Sequence, residues 1–417
     1  ARVGNDAGFD RLINSYSYGG LFRNDMAWFQ GDAVRKNPNL KPETTISKEI
    51  GAEVRLLDGR LTADVTYYDK YTRDQIVESE LSYLSNYQRV IINSGKISNK
   101  GWEISVSGVP VKVKNFEWKT IFNWSKNNSM VESLPEGIDK IQIGSGVYNV
   151  KSYAEVGKPY GAIYAKTFKR DAEGYILCQL DGSPKEGQDY EYLGCVQADW
   201  RGGWNNVFRL GNFSFSVMFD FQKGGKFFSQ TSIQSSVDGQ SVKSLEGRDA
   251  DFFSRKILGE SDEERYGFMR PQNANTPTAN GQIYPDWGRP KGVVLPNCRY
   301  DEDVEGLAGQ QVLGYCTPER YWMHYTSRDI SRFIYDASYV KLREITVSYD
   351  LPKKWLRKTP FQTFRVAAVG RNIATLFANT PHGLDPQATS TTGNAQGFER
   401  GFNLPSATYG FDIKVSF

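Results

Sequence analysis

The chain is poor in the residues that catalytic sites and membrane helices are built from. It has two histidines, His324 and His382, and five methionines in 417 residues. Its four cysteines show neither the C-x-x-C nor the Cys/His spacing that zinc requires. No apolar run approaches the roughly 18–20 residues of a spanning helix, and the mean hydropathy is −0.53, so a helical membrane protein is excluded. Neither sign of charge dominates: 51 Lys+Arg stand against 48 Asp+Glu for a net +3, too even for the basic footprint of a nucleic-acid binder. Gly and Pro, 40 and 17 residues, are too few for a collagen-like or low-complexity chain. Neither a Walker loop nor Gly-x-Ser-x-Gly occurs. The expectation is therefore no enzyme, no cofactor and no metal. The two histidines read as solvated loop residues. The runs Asp262-Glu263-Glu264 and Asp301-Glu302-Asp303 do not follow calcium-loop spacing and read as solvated acidic loops.

What the chain has in quantity is aromatics: 9 Trp, 24 Tyr and 24 Phe. Many fall in period-two alternation, which places one set of side chains on each face of a strand. Phe213, Phe215, Val217, Phe219 and Phe221 alternate with Asn212, Ser214, Ser216, Met218 and Asp220. The last residues repeat the pattern, with Tyr409, Phe411, Ile413, Val415 and Phe417 against Gly410, Asp412, Lys414 and Ser416. Weaker copies run through Ile50–Leu56, Leu61–Tyr67, Trp102–Val106, Phe116–Trp124, Ile345–Leu351 and Phe364–Ala368, giving about nine to eleven strands. Helical spacing is scarce; Ser261 with Glu264 is the one capping box.

The connections alternate in length. Leu57-Asp58-Gly59-Arg60 and Leu210-Gly211-Asn212 read as tight turns, and Val111 to Asn115 is nearly as short. Residues 78–88, 132–151, 224–337 and 378–406 are long and polar. Soluble sandwiches and barrels also alternate, with the apolar face turned into a core. Three features point elsewhere: bulky aromatic faces opposite charge and amide, Trp and Tyr near strand ends (Trp102, Trp118, Trp124, Tyr409), and one-sided loop lengths. These are the marks of a transmembrane antiparallel β-barrel with lipid outside and a wet lumen inside. A bilayer offers backbone amides no partners, so strands cross only in a closed sheet, each with roughly 9–11 residues. Segments 46–56, 61–71, 212–222 and 407–417 meet that length. The terminal Tyr409, Phe411, Ile413, Val415 and Phe417 resemble the C-terminal assembly signal of outer-membrane barrels.

The cysteines form two local pairs, Cys178 with Cys195 and Cys298 with Cys316, in loop-like segments. Loop disulfides in an oxidising compartment are the natural reading and free buried thiols the alternative. Each bridge would close about 17–19 residues and contribute roughly 3 kcal/mol by constraining the unfolded chain. Ala1-Arg-Val-Gly-Asn-Asp reads as the end of a strand rather than a signal peptide, so the chain is expected to be the later part of something longer.

Several stretches together resemble the SusC/RagA-like TonB-dependent transporters of the Bacteroidetes outer membrane. They are Asn37-Pro-Asn-Leu-Lys-Pro-Glu-Thr44 with Ile46-Ser-Lys-Glu-Ile-Gly51, Asn93-Ser-Gly-Lys-Ile-Ser-Asn-Lys-Gly-Trp-Glu103, and Tyr192-Leu-Gly194 with Asp199-Trp-Arg-Gly-Gly-Trp-Asn205. Tyr335-Asp-Ala-Ser-Tyr-Val-Lys-Leu-Arg-Glu344 with Leu351-Pro352, Gly370-Arg-Asn-Ile373 and the terminal Phe417 complete the series, in family order across nearly the whole chain. The resemblance implies a 22-stranded barrel of which residues 1–417 supply roughly the C-terminal half, with a long extracellular loop at about 224–337 and the plug domain and TonB box outside this chain. It implies import of oligomeric nutrients, glycans or peptides. The implied partners are a SusD-like surface lipoprotein lid, the TonB complex, the remaining barrel and plug segment, and outer-membrane lipid, with no nucleic acid. Trp287, Tyr321, Trp322 and Tyr325 in the longest loop are the candidate substrate-stacking residues under that reading, although packing within the loop or contact with the lipoprotein is the stronger expectation for each. The competing classes are a secreted β-rich carbohydrate-binding or adhesin protein and a barrel enzyme.

Overall fold

The computed structural model describes residues 2–5, 8–22, 26–81, 83–93, 95–245, 293–316, 320–381, 383–388, 396–401 and 406–417. Ten strands form one continuous sheet: β1 (Arg2–Asn5), β2 (Glu43–Leu56), β3 (Leu61–Arg73), β4 (Lys96–Val113), β5 (Phe116–Ser133), β6 (Trp200–Leu210), β7 (Phe213–Lys223), β8 (Tyr339–Asp350), β9 (Thr363–Ala378) and β10 (Thr408–Ser416). Their order in the sheet is their order in the chain, and every adjacent pair is antiparallel. This is an up-and-down meander, with β1 and β10 at its two edges. The four segments expected to cross all fall within β2, β3, β7 or β10 or overrun them by a residue.

The turns at one end follow from their residues. Leu57 and Asp58 both take positive φ, 57° and 53°, ahead of Gly59, the left-handed geometry that matches the twist of a hairpin. Gly211 at φ 57° turns the chain between β6 and β7. At the opposite end the connections are long: 74–95, 134–199, 224–338 and 379–407. The helix expected from Ser261 and Glu264 lies outside the described residues.

The rows of the sheet are sorted by polarity. On one face Trp118 pairs with Phe208, Phe208 with Phe215, Phe215 with Val347, Val347 with Ala368 and Ala368 with Phe411. A second row runs Tyr67, Trp102, Lys126 and a third Phe122, Trp204, Phe219. The rings touch: Trp118 and Phe208 stack at 5.9 Å, Trp204 and Phe219 at 5.8 Å, and Phe213 meets Tyr349 at 4.6 Å. Among the described residues nothing covers these rows at Phe411, Ile50 and Phe213, which are 87%, 73% and 58% exposed. The other face carries Asp64, Ser105, Asn123 and Gly203 in one row, and Ser214, Ser348, Ala367 and Asp412 in another.

The long connections are not open loops. They fold into small sheets of their own: Lys140–Ser145, Lys151–Glu155, Ala162–Ala165 and Glu191–Cys195 as one, and Ile176–Cys178, Val293–Tyr300 and Gln311–Cys316 as another. Lys226–Ser229 joins Ile334–Asp336 and Phe398–Glu399 in a third. The buried apolar side chains concentrate here. One cluster packs Val150, Ile163, Phe228, Ile233, Ile330, Phe333 and Phe398; another packs Phe168, Cys178, Val293, Cys298, Tyr321 and Trp322. A short helix, Gln230–Val237, caps the first cluster, its N-terminus held by Ser229, whose Oγ accepts from the Ser232 amide at 3.0 Å.

Candidate functional site

The polar face of the sheet and the folded layer above it are where this chain meets water-borne molecules. Strands place the polar face by alternation: between each pair of outward aromatics the chain carries a small, charged or amide residue. On β7 to β9 these form cross-strand ion pairs. Arg365 grips Asp350 through two hydrogen bonds of 2.6 and 2.8 Å, Arg371 reaches Glu344 at 3.0 Å, and Arg343 donates to Asp220 through both Nε and Nη2. Tyr339 donates to the same Asp220 carboxylate at 3.2 Å. On β3 to β7 the face hollows into a recess of about 430 Å³ lined by Asp64, Glu103, Asn123, Arg201 and Asp220 among others. Such a wall offers hydrogen bonds to hydroxyl- or amide-rich solutes without a fixed pocket for one of them. These residues are candidate positions that motif searching missed. Their signal was present in the polar half of the alternation.

Where β8 enters the folded layer, Lys341 is wholly buried and bonds Asp385 at 2.6 Å and Gln387 at 3.0 Å. This pins the 379–388 segment to the strand, because a buried ammonium left unpaired would cost several kcal/mol. Asp301 does the same for the second layer. It is buried and bonds Lys169 at 2.9 Å and Lys185 at 2.7 Å. Those two lysines hold its carboxyl at about 2, against the desolvation that pushes the other way. Asp301 is therefore not part of a solvated acidic loop as its sequence suggested, although Asp303 beside it is exposed. The other acidic run, 262–264, and His382 lie outside the described residues. His324 is exposed, and Ser327 donates to its backbone carbonyl rather than to its ring.

Of the four candidate stacking residues, Trp287 lies outside the described residues. Tyr321, Trp322 and Tyr325 come together on one turn of π-helix, Tyr321–Tyr325, and all three are buried. Tyr321 meets Trp322 edge-on at 5.1 Å, Phe168 packs against Tyr325 at 6.5 Å, and Arg332 donates to the Tyr321 hydroxyl. Their rings fill a core instead of presenting a surface. The polar sequence around them hid this, because part of what buries them, Phe168, Ile176 and Cys178, comes from a distant connection, and the rest from Val293, Leu295 and Cys298 on a strand beside it.

The cysteines also sit differently from the local pairing expected of them. Neither expected bridge, Cys178 with Cys195 or Cys298 with Cys316, is formed in the structure. Cys195 belongs to the four-stranded sheet, its Sγ 3.6 Å from the Tyr160 carbonyl, while Cys178 lies in the cluster of Phe168 and Trp322. Cys298 faces Val312, four residues short of Cys316 on the neighbouring strand, a separation of roughly 13 Å along the strand, beyond what a disulfide spans.

The architecture has known counterparts. The sequence profile described as "TonB dependent receptor-like, beta-barrel" matches residues 8–160. TonB-dependent receptor P3 of Formosa agariphila is 25% identical over 395 residues, 89% of this chain and 33% of the relative. TonB-dependent receptor SusC of Bacteroides thetaiotaomicron is 29% identical over 104 residues, 25% of this chain and 10% of the relative. The chain thus spans a third or less of the length of these curated relatives. A solved structure described as the RagAB peptide transporter shares the fold, with a TM-score of 0.63 at 16% identity over all of this chain and 40% of that one. Its "closed-closed" state gives 0.62 over the same shares. With the aromatic face turned outward and the polar face inward, these matches place the chain in the outer membrane as barrel wall, similar in sequence and fold to the SusC/RagA-like TonB-dependent receptors.

Proposed function

We propose that this chain is the C-terminal barrel segment of an importer of oligomeric nutrients, glycans or peptides, working under a SusD-like lipoprotein lid and driven by TonB. The observation that carries the reading is the sorting of the sheet in register: continuous aromatic rows on one side and ion-paired, amide-bearing rows on the other. Lipid on the first side and a cargo passage on the second account for both. The short turns then face the periplasm and the long connections face outward. The layer formed by the described residues of the connections 134–199, 224–338 and 379–407 receives the lid, and the recess around Arg201 and Asp220 forms part of the passage. Tyr321, Trp322 and Tyr325 shape this layer from within and do not stack on cargo. The plug and its TonB box lie outside this chain. The aromatic run ending at Phe417 marks the barrel for assembly. Peptide cargo is what the RagAB structure's description names for that protein; the polar wall here suits peptides and saccharides alike.

The test is purification of the native protein from outer membranes in detergent, followed by an uptake assay of oligosaccharides and oligopeptides in cells with and without TonB. The proposal expects a co-purifying surface lipoprotein and uptake that ceases without TonB. A detergent-free soluble monomer would contradict it, as would uptake indifferent to TonB.

A further inference from the structure

Three of the four cysteines meet in the folded layer, brought together by pairing between distant segments. Cys178 closes the strand Ile176–Cys178, which lies parallel to Val293–Tyr300 with Ile176 opposite Cys298 and Cys178 opposite Tyr300. Alternate residues share a face of a strand, so Cys178 stands one diagonal step from Cys298 on the same side of the pair. Twist between paired strands shortens one of the two diagonals, and each thiol shifts the other's titration, Cys298 raising that of Cys178 and Cys178 lowering that of Cys298. Both are buried, and Phe168, Val293, Tyr321 and Trp322 pack around them. On the far side the chain leaves room for sulfur: a Cβ on Gly314 would sit 2.7 Å from the Cys298 Sγ. Cys316 shares the cluster but lies four residues along its strand from the position opposite Cys298, and Cys195 is in another sheet.

We propose that Cys178 and Cys298 are joined by a disulfide in the mature protein, a staple between connections 120 positions apart that ties the hairpin at 166–187 to the strand Val293–Tyr300. The bond forms by exchange with the disulfide of a thiol–disulfide oxidase. The Cys298 thiolate attacks one oxidase sulfur and releases the other as a thiolate. The Cys178 thiolate then displaces the oxidase from the mixed disulfide. The two cysteines lose two protons and two electrons, and the oxidase disulfide gains the electrons as a dithiol. Because both sulfurs are shut away in the finished core, the exchange precedes closure of the layer. The inference is independent of cargo, lid and TonB.

The test uses the full transporter from native outer membranes, denatured in an alkylating reagent without reductant and digested with trypsin. Each cysteine then falls in its own peptide: 171–185, 186–201, 292–299 and 300–320. The expected result is a linked pair, 171–185 with 292–299, that separates only on reduction, with Cys195 and Cys316 alkylated at once. Alkylation of Cys178 and Cys298 without reductant would overturn the proposal, as would a bridge from either to Cys195 or Cys316.

Discussion

The sheet and the layer folded from its long connections use the same residue types with opposite sense. In the ten-stranded sheet, Phe213, Phe215 and Phe411 stand outside and Ser214, Ser216 and Asp412 line the inside. In the layer, Phe168, Phe228 and Phe398 are buried and the charges lie around them. A water-soluble core and a lipid-facing wall are thus joined in one chain, and the boundary is sharp. Phe221 on β7 is still partly exposed, whereas Phe227 and Phe228, a few residues on, are fully buried. Burial of apolar area stabilises the layer in the ordinary way, while for the wall the hydrocarbon does the covering and the closed backbone pairing is indispensable. β4 and β5, 18 residues each, would rise roughly 60 Å if upright and still overtop the apolar band of about 25 Å when tilted. They carry the wall out of the membrane and into the layer.

Four substitutions would break or sharpen this contrast, from the largest effect to the smallest. Phe228→Ala, in the layer, empties a fully buried site and is expected to cost about 3–5 kcal/mol. Hydrogen exchange should rise across 226–237 while the heat-stable migration of the folded barrel persists; loss of the barrel itself would mean that the two regions are not separable. Phe215→Lys, on the wall, should cost about 2–4 kcal/mol in denaturant unfolding from lipid vesicles, as a charge facing hydrocarbon does. The neighbouring Ser216→Lys should be nearly neutral. Equal costs at the two positions would erase the distinction between faces.

Asp301→Asn should lower the stability of the layer by about 2–3 kcal/mol at neutral pH, since a carboxyl held at about 2 titrates near 3.9 when unfolded and each unit is worth about 1.4 kcal/mol. The folded value is the lower one, so the native contribution is full above about pH 4 and fades as pH falls from 4 to 2. Exchange of 293–316 followed over that range should show this slope in the native protein and lose it in the variant. Gly211→Ala, at the short-turn end, forces a Cβ into a left-handed conformation at φ 57° and should cost about 1 kcal/mol. Because nothing lies within 4 Å of that Cβ, an effect much larger than this would point to an unseen contact.

The wall was legible in the sequence because its strands are long enough for alternation to show, and because lipid demands bulky apolar groups at every second position. Strand ends, tight turns and the asymmetry of the connections followed from the same pattern. The layer was not legible. Its strands run to two to eight residues, as in Phe398–Glu399 and Ile176–Cys178 at the short end and Val293–Tyr300 at the long, too brief for a period to emerge, and several pair across long separations that proximity in sequence does not reveal. Hence Cys178 was assigned to nearby Cys195 when its neighbour is Cys298. Tyr321, Trp322 and Tyr325 fell within what read as one long loop, with nothing to say which strands they pack on, and Asp301 looked solvated although two lysines from another connection enclose it. The ion pairs of the inner wall were visible only as the polar half of the strand pattern, which gives position but not partner.

The central claim concerns the medium on each side of the sheet. Spin labels placed singly by Phe215→Cys, Phe411→Cys and Ser216→Cys in the full transporter, reconstituted in lipid, would report it through collision with oxygen, which concentrates in hydrocarbon, and with a water-soluble nickel chelate. The account predicts oxygen access at 215 and 411 and chelate access at 216. Labels at 215 and 411 shielded from both reagents, as inside a protein core, would contradict it.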